Sequence, residues 1–204
     1  MKYTLLFLLL CATYAPTQAQ VQEYDSFEFI YIDNSKPVSG DGLFEEQIKL
    51  IEKQIKNSAA KNSRFIMYIS DADNPKVAQT IEEATALLGQ ISQKATEYPR
   101  DKVKDKKRIK DIIYNDQFEV TKKVNFYFFT TDFYFLSLSN EPSLLIGLLP
   151  AEISAAFENK EIPIEVTIYI NNNEGDINIE NMEENLNYSK KENYPNIKYK
   201  IIDL

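Results

Sequence analysis

Short apolar runs alternate with longer stretches in which apolar residues recur every three or four positions along most of the chain. The first run, residues 27–32, is aromatic and β-branched and predicts a β-strand that ends at Asp33. Comparable runs predict strands at residues 64–69, 124–131, 162–170 and 197–202. The run at 162–170 is almost continuously apolar, which is typical of a parallel strand covered on both faces.

Stretches of helical spacing separate these runs. The first helix is predicted from apolar residues spaced four, three and four positions apart: Phe44, Ile48, Ile51 and Ile55. A second helix is predicted to begin at Pro75, with Asn74 as its cap, and to end near Tyr98 and Pro99. Its apolar stripe would consist of Val77, Ile81, Ala84, Leu88 and Ile91. Further helices are predicted at residues 100–113, 143–149, 151–159 and 179–191.

Strands that alternate with helix-length spacers indicate βαβ units. Because such units connect parallel strands, the sequence predicts an α/β fold, a three-layer, open, mainly parallel sheet with helices on both faces. Ligands of open α/β sheets bind at the carboxyl ends of the strands. The loops beginning at Asp33, Ser70, Thr130 and Asn171 are therefore the predicted places for a functional site.

The first nineteen residues have the pattern of a secretory signal peptide. Lys2 precedes an apolar stretch at residues 4–12, and small residues lie before a cut after Ala19. We therefore expect residues 1–19 to be removed and residues 20–204 to form a single exported α/β domain, either periplasmic or secreted. Lipid anchoring through Cys11 is the alternative, but a bulky leucine precedes that cysteine, which disfavours it.

Composition narrows the function classes. The 204 residues contain 31 acidic and 23 basic side chains, for a net charge of −8, and this balance argues against nucleic-acid binding. The single cysteine cannot form an intrachain disulfide, and without histidine every histidine-based mechanism or metal site is excluded. No stretch after the signal peptide is long and apolar enough to span a membrane. The expected partner is another protein.

Oxygen-rich side chains follow two of the predicted strands. Asp33, Asn34 and Ser35 begin one loop, and residues 130–132, with the sequence Thr-Thr-Asp, begin another. Carboxylate and hydroxyl oxygens are hard ligands that suit Mg²⁺, Mn²⁺ or Ca²⁺. The alternative is that these residues only cap helices and form turns.

These residues carry a resemblance to a family. The chain resembles a von Willebrand factor A-like domain, which opens with an apolar strand, a D-x-S-x-S motif and an amphipathic helix; here Ile32 is followed by Asp33-Asn34-Ser35-Lys36-Pro37. A later strand of that family ends in T-D-G, and here residues 130–133 are Thr-Thr-Asp-Phe. A helix and an apolar strand come next in the family, as residues 151–157 and 164–170 do here.

The resemblance implies a divalent-ion site, with Mg²⁺ or alternatively Ca²⁺ or Mn²⁺. Asp33 and Ser35 would hold the ion from the first loop, and Asp132 would hold it directly or through water. In the family, a carboxylate of the partner commonly completes the coordination. Two positions depart from the pattern, because Pro37 replaces the second serine of the motif and Phe133 replaces the glycine.

Three other segments have candidate chemistry. Asp71 and Asp73 could be paired acid–base carboxylates, although a solvated loop or helix cap accounts for them as well. The segment 171–176 is rich in oxygen ligands but has the wrong spacing for an EF-hand. The basic segment 100–110 could meet an anionic partner, although a solvated helix face is the simpler interpretation.

Three functions remain at this point. The first is an exported von Willebrand A-like module that binds a protein through the carboxyl ends of the strands. The second is a metal-independent structural or assembly protein of the cell envelope, which Pro37 and Phe133 favour. The third is a carboxylate-based hydrolase, which would require two facing acids in a cleft. Because no acid pair stands out, we expect a binding protein rather than an enzyme.

Overall fold

A computed structural model describes residues 22–34, 43–70, 72–92, 107–109, 111–113, 119–129, 162–170, 178–190 and 194–203. The elements are β1 Glu23–Ile32, α1 Leu43–Ser58, β2 Ser63–Ile69, β3 Lys76–Ala78, α2 Ile81–Leu88, β4 Glu119–Phe129, β5 Ile164–Ile170, α3 Ile179–Lys190 and β6 Ile197–Asp203. Residues 107–109 and 111–113 are also helical. The strands form one sheet in the order β3-β2-β1-β4-β5-β6. All neighbours pair in parallel except β2 with β3, so the predicted α/β class is confirmed.

The order of the strands defines where a ligand site would lie. From β1 the chain moves outward to β2 and β3, then returns to the other side of β1 and continues through β4, β5 and β6. The direction of winding therefore reverses between β1 and β4. In doubly wound sheets, ligands bind at the carboxyl ends of the strands at this switch point.

Apolar packing covers both faces of the sheet. On one face, buried side chains such as Phe29 and Phe126 pack with Ile109 and Ile112 of the helical segments. On the other face, Ile30 and Ile32 pack under α1 and α2. Because β1 is enclosed on both sides, its sequence is almost continuously apolar rather than alternating.

The outer edge of β6 is covered by α3. The Asn187 side chain donates to the Tyr199 carbonyl at 3.0 Å and accepts from the Tyr199 N–H at 2.9 Å. Glu183 accepts from the N–H of Ile201 at 2.8 Å. These side chains satisfy backbone groups that would otherwise leave an edge strand open to pairing with another chain.

The predicted helix beginning at Pro75 is wrong. Residues 76–78 form β3, antiparallel to β2, with Val77 opposite Ile66. Asn74 does not cap a helix, because its side chain accepts a hydrogen bond from Arg108. Helix α2 begins only at Ile81 and ends at Leu88, well before Tyr98 and Pro99.

The true start of α2 is fixed by a reciprocal cap. The Thr80 hydroxyl accepts from the N–H of Glu83 at 3.1 Å, and the Glu83 carboxylate accepts from the N–H of Gln79 at 2.9 Å. We expect Thr80→Ala to lower the free energy of unfolding by about 1 kcal/mol, because one end of this cap is lost. Urea unfolding monitored by circular dichroism would measure it. Thr80→Ser keeps the hydroxyl and serves as control; an equal loss in both variants would contradict a capping role.

The other described elements agree with the sequence predictions to within a few residues, apart from earlier starts of β1 and β4. The predicted signal peptide, residues 1–19, and the predicted helices 143–149 and 151–159 lie outside the described residues. None of the helices in the described ranges is long and apolar enough to cross a membrane.

Candidate functional site

Asp33 lies at the switch point of the sheet. It directly follows β1, and its N–H donates to the carbonyl of Phe129, the last residue of β4, at 2.9 Å. On the other side of β1, the N–H of Ser70 donates to the Ile32 carbonyl at 2.9 Å. These bonds bring the carboxyl ends of β2, β1 and β4 to one level. Asp33 has an exposed fraction of 0%, so a carboxylate is enclosed at this end of the central strand.

Asn34 adds a buried amide beside that carboxylate. Its Nδ2 donates to the carbonyl of Ser92 at 3.2 Å, just beyond α2, and only 8% of the residue is exposed. Its Oδ1 is buried and accepts no hydrogen bond from the part of the chain that the structure describes. An unsatisfied buried acceptor costs about 1–3 kcal/mol, so this oxygen suits a ligand that supplies positive charge or a donor.

Gln47 is a second buried amide that the sequence analysis did not single out. It lies on α1 with an exposed fraction of 1%, and neither its Oε1 nor its Nε2 has a hydrogen-bond partner among the described residues. The available signal was a polar residue on the apolar stripe of the helix, three positions after Phe44 and four before Ile51. Gln47 and Asn34 are therefore two buried amides with unused polar atoms.

Only one of the three predicted metal ligands can be placed. Asp33 is described, whereas Ser35 and Asp132 lie outside the described residues. The structure does bring Asp33 against Phe129, three residues before Asp132 in the sequence. Within the described residues no three Asp, Glu, Cys or His side chains cluster as a metal site would require. The donors present, a carboxylate and two amide oxygens, are nevertheless of the hard type that Mg²⁺ and Ca²⁺ accept.

The other predicted candidates are located as follows. Asp73 is exposed and its carbonyl accepts a hydrogen bond from Arg108, so Asp73 does not face a second acid in a cleft. Asp71 and the segment 171–176 lie outside the described residues. In the basic segment 100–110, Arg108 is half-buried and ties the helical residues 107–109 to the loop before β3. That contact accounts for Arg108 as a structural cation.

A second buried carboxyl, Glu28, lies on β1 five residues before Asp33. Burial raises its pKa above 4.5, and hydrogen bonds from Asn125 and Ser26 oppose that rise only in part. At about 3.3 Å per residue along a strand, Glu28 lies roughly 16 Å from the carboxyl end of β1. It is therefore separate from the candidate site.

Comparisons with known proteins place the fold beside two solved structures. The chain is 14% identical to the conserved hypothetical protein BatB from Bacteroides thetaiotaomicron, with a TM-score of 0.45, over 89% of this chain and 90% of that one. It is 12% identical to the human COPII-coat protein Sec24c, with a TM-score of 0.38, over 74% of this chain and 27% of that one. No protein-family model and no curated protein sequence matches the chain. At these identities and TM-scores, the described sheet, rather than either neighbour, defines the fold as mainly parallel α/β.

Proposed function

We propose that this chain is an exported, non-enzymatic interaction module of the von Willebrand factor A-like type. It would bind a protein partner through the carboxyl ends of β1 and β4. The observation that carries this proposal is the buried carboxylate of Asp33 at the switch point, where its N–H bonds to the end of β4. The resemblance in the order of Asp33, Ser35 and Asp132 supports it from the sequence.

A divalent ion is the second part of the proposal. Asp33, Ser35 and Asp132 would hold Mg²⁺, or alternatively Ca²⁺ or Mn²⁺. The fit rests on the enclosed Asp33 carboxylate and on the buried, unpartnered Oδ1 of the adjacent Asn34. A bound ion would supply a positive centre that a carboxylate of the partner protein could complete. The residues of this chain would hold the ion, orient the loops and keep the carboxylate from water.

Export is the third part, and it rests on residues 1–19. A protein delivered to the periplasm or beyond would meet its partner there. The runner-up function is a metal-independent assembly protein of the envelope, which Pro37 favours because proline has no hydroxyl to offer an ion. The two functions differ in one measurable property, the response of the folded protein to divalent ions.

Thermal unfolding in EDTA and with excess Mg²⁺ tests the ion site. A ligand that binds only the folded state at about a hundred times its Kd adds about 2.7 kcal/mol. For a domain of this size we expect the Tm to rise by about 5–10 °C. Asp33→Asn, which keeps the shape but removes the charge, should abolish the rise, whereas the exposed control Asp73→Asn should keep it. A wild-type protein with an unchanged Tm in Mg²⁺, Ca²⁺ and Mn²⁺ would leave the metal-independent function.

A further inference from the structure

The buried amide of Gln47 has no structural role among the described residues. Its neighbours on the same face of α1, Phe44 and Ile51, pack into the apolar cluster under the helix. A leucine at position 47 would fit that stripe, whereas the glutamine leaves both an amide oxygen and an amide N–H without partners. Buried polar groups are ordinarily paired, so an unpaired amide of this kind points to a ligand.

The geometry of α1 places Gln47 near the carboxyl ends of the strands. The C-terminal end of α1 is anchored low on the sheet, because the N–H of Ala60 donates to Ser26 Oγ at 3.3 Å. Gln47 precedes Ser58 by eleven helical residues, a rise of about 16 Å. Asp33 follows Ser26 by seven residues along β1, a rise of about 23 Å. Allowing for residues 58–60, Gln47 lies within about one helical turn of the level of Asp33.

Asn34 is the second amide at this level. Because its Nδ2 is fixed on the carbonyl of Ser92, its oxygen is the atom left over, and that oxygen is buried without a partner. The buried Asp33 carboxylate is the adjacent residue. One carboxylate and two amides with unused oxygens are thus gathered from β1 and α1 at one end of the sheet.

We infer that Gln47 Oε1 and Asn34 Oδ1 are additional ligands of the divalent ion at the switch point, binding it directly or through a water molecule. The inference rests on the proposed function, because it concerns the same ion. Amide oxygens are ordinary ligands of Ca²⁺ and Mg²⁺. They would take the place left by Pro37, which has no hydroxyl, without adding negative charge to a site already holding carboxylates.

The test measures the Tm of three glutamine variants in EDTA and through an Mg²⁺ titration. Gln47→Leu should be at least as stable as wild type in EDTA, because it removes an unpartnered amide. Its apparent Kd for Mg²⁺ should weaken about tenfold or more, the scale of losing a supporting ligand. Gln54→Leu, the same substitution two turns along α1, is the control and should keep the wild-type Kd. Asn34→Leu should resemble Gln47→Leu in its response to Mg²⁺.

Gln47→Glu gives the opposite signature and covers the case in which the leucine variant folds poorly. A carboxylate near Asp33 should lower the Tm in EDTA through like-charge repulsion and should enlarge the rise caused by Mg²⁺. Wild-type Mg²⁺ affinity in all Gln47 and Asn34 variants, together with a lost response in Asp33→Asn, would overturn this inference and leave the ion site standing. A wild-type protein without any ion response would overturn both.

Discussion

Replacing Phe29 by alanine is expected to lower the free energy of unfolding by about 3–5 kcal/mol. Phe29 is fully buried on the central strand, and its ring lies 5.6 Å from that of Phe126 and 6.1 Å from that of Phe128. Phe126 and Phe128 are themselves stacked, so the lost ring leaves a cavity that rigid neighbours cannot easily fill. The loss combines the transfer free energy of the ring with the cost of that cavity.

Urea unfolding followed by circular dichroism would measure this loss as a shift of the midpoint at unchanged slope. Leu50→Ala on α1 serves as the matched control, because that side chain is among the exposed large apolar residues and should lose far less. Phe29→Leu keeps most of the volume and should fall between the two, which preserves the comparison if the alanine variant does not fold. A loss below 1 kcal/mol in Phe29→Ala would contradict the packing of the aromatic rings across β1 and β4.

The apolar pattern was sufficient to predict the strands but not where they begin. The predicted strand at residue 27 begins at Glu23, and the one at residue 124 begins at Glu119. These extra residues are polar, and they join the sheet by pairing with each other rather than by burying apolar surface. An ion pair between Lys122 and Asp25 at 3.0 Å lies in this paired region. Strand pairing between distant segments is invisible to a local pattern.

The mistaken helix at Pro75 has a similar cause. Val77, Ile81, Ala84, Leu88 and Ile91 do follow helical spacing. However, Val77 is β-branched and lies where β2 still needs an antiparallel neighbour, so tertiary pairing overrides the weak helical preference. The pair Thr80 and Glu83 is the sequence signal of the true start, since a threonine followed three residues later by glutamate is a capping box.

The candidate site was predictable only in part. Asp33 could be placed because it ends an apolar run, and the carboxyl ends of parallel strands meet at one edge. The buried amides of Asn34 and Gln47 could not be foreseen, because their burial depends on α1 and on the segment after α2. Glu28 was hidden for the same reason. A glutamate inside a strand is ordinarily assigned to a solvent face, and here the second face of β1 is covered by α1.

Glu28 is held by polar side chains from three strands. Asn125 Nδ2 on β4 donates to both carboxyl oxygens at 3.0 Å. Ser26 Oγ is 2.8 Å from Glu28 Oε1 and 2.7 Å from Ser63 Oγ on β2. The Ser63 hydroxyl in turn donates to the carbonyl of Ala60 at 2.5 Å. A chain of hydroxyl groups therefore connects the Glu28 carboxyl to a backbone acceptor that has no proton to give.

Counting protons along that chain favours the neutral acid. Each serine hydroxyl has one proton, and the proton of Ser63 is used on Ala60. If Glu28 is ionised, Ser26 donates to it, and the 2.7 Å contact between Ser26 and Ser63 then lacks a proton. If Glu28 is protonated, its hydroxyl donates to Ser26, Ser26 donates to Ser63, and every contact has one proton. The raised pKa of Glu28, caused mainly by burial, agrees with this count.

Glu28→Gln is therefore expected to be tolerated and to remove part of the dependence of stability on pH. Because the pKa of Glu28 is raised in the folded protein, its stabilising contribution is complete below the ordinary pKa of 4.5 and is lost as the pH rises through the folded value. The loss for one proton is at most about 1.4 kcal/mol per pH unit. A neutral glutamine keeps a donor for Ser26 and an acceptor for Asn125, so the variant should match wild type near pH 4 and exceed it at pH 8.

Urea unfolding of both proteins from pH 4 to pH 9 measures that difference directly, since titrations shared by the two proteins cancel. Glu165→Gln is the matched control, because Glu165 is the exposed glutamate opposite Asn125 on β5 and should give a nearly constant offset from wild type. A Glu28→Gln variant less stable than wild type by the same amount at every pH would mean that Glu28 is ionised in the folded protein. In that case the hydroxyl chain would have to be reversed, with Ser26 donating to the carboxylate, and the short contact between Ser26 and Ser63 would be repulsive rather than a hydrogen bond.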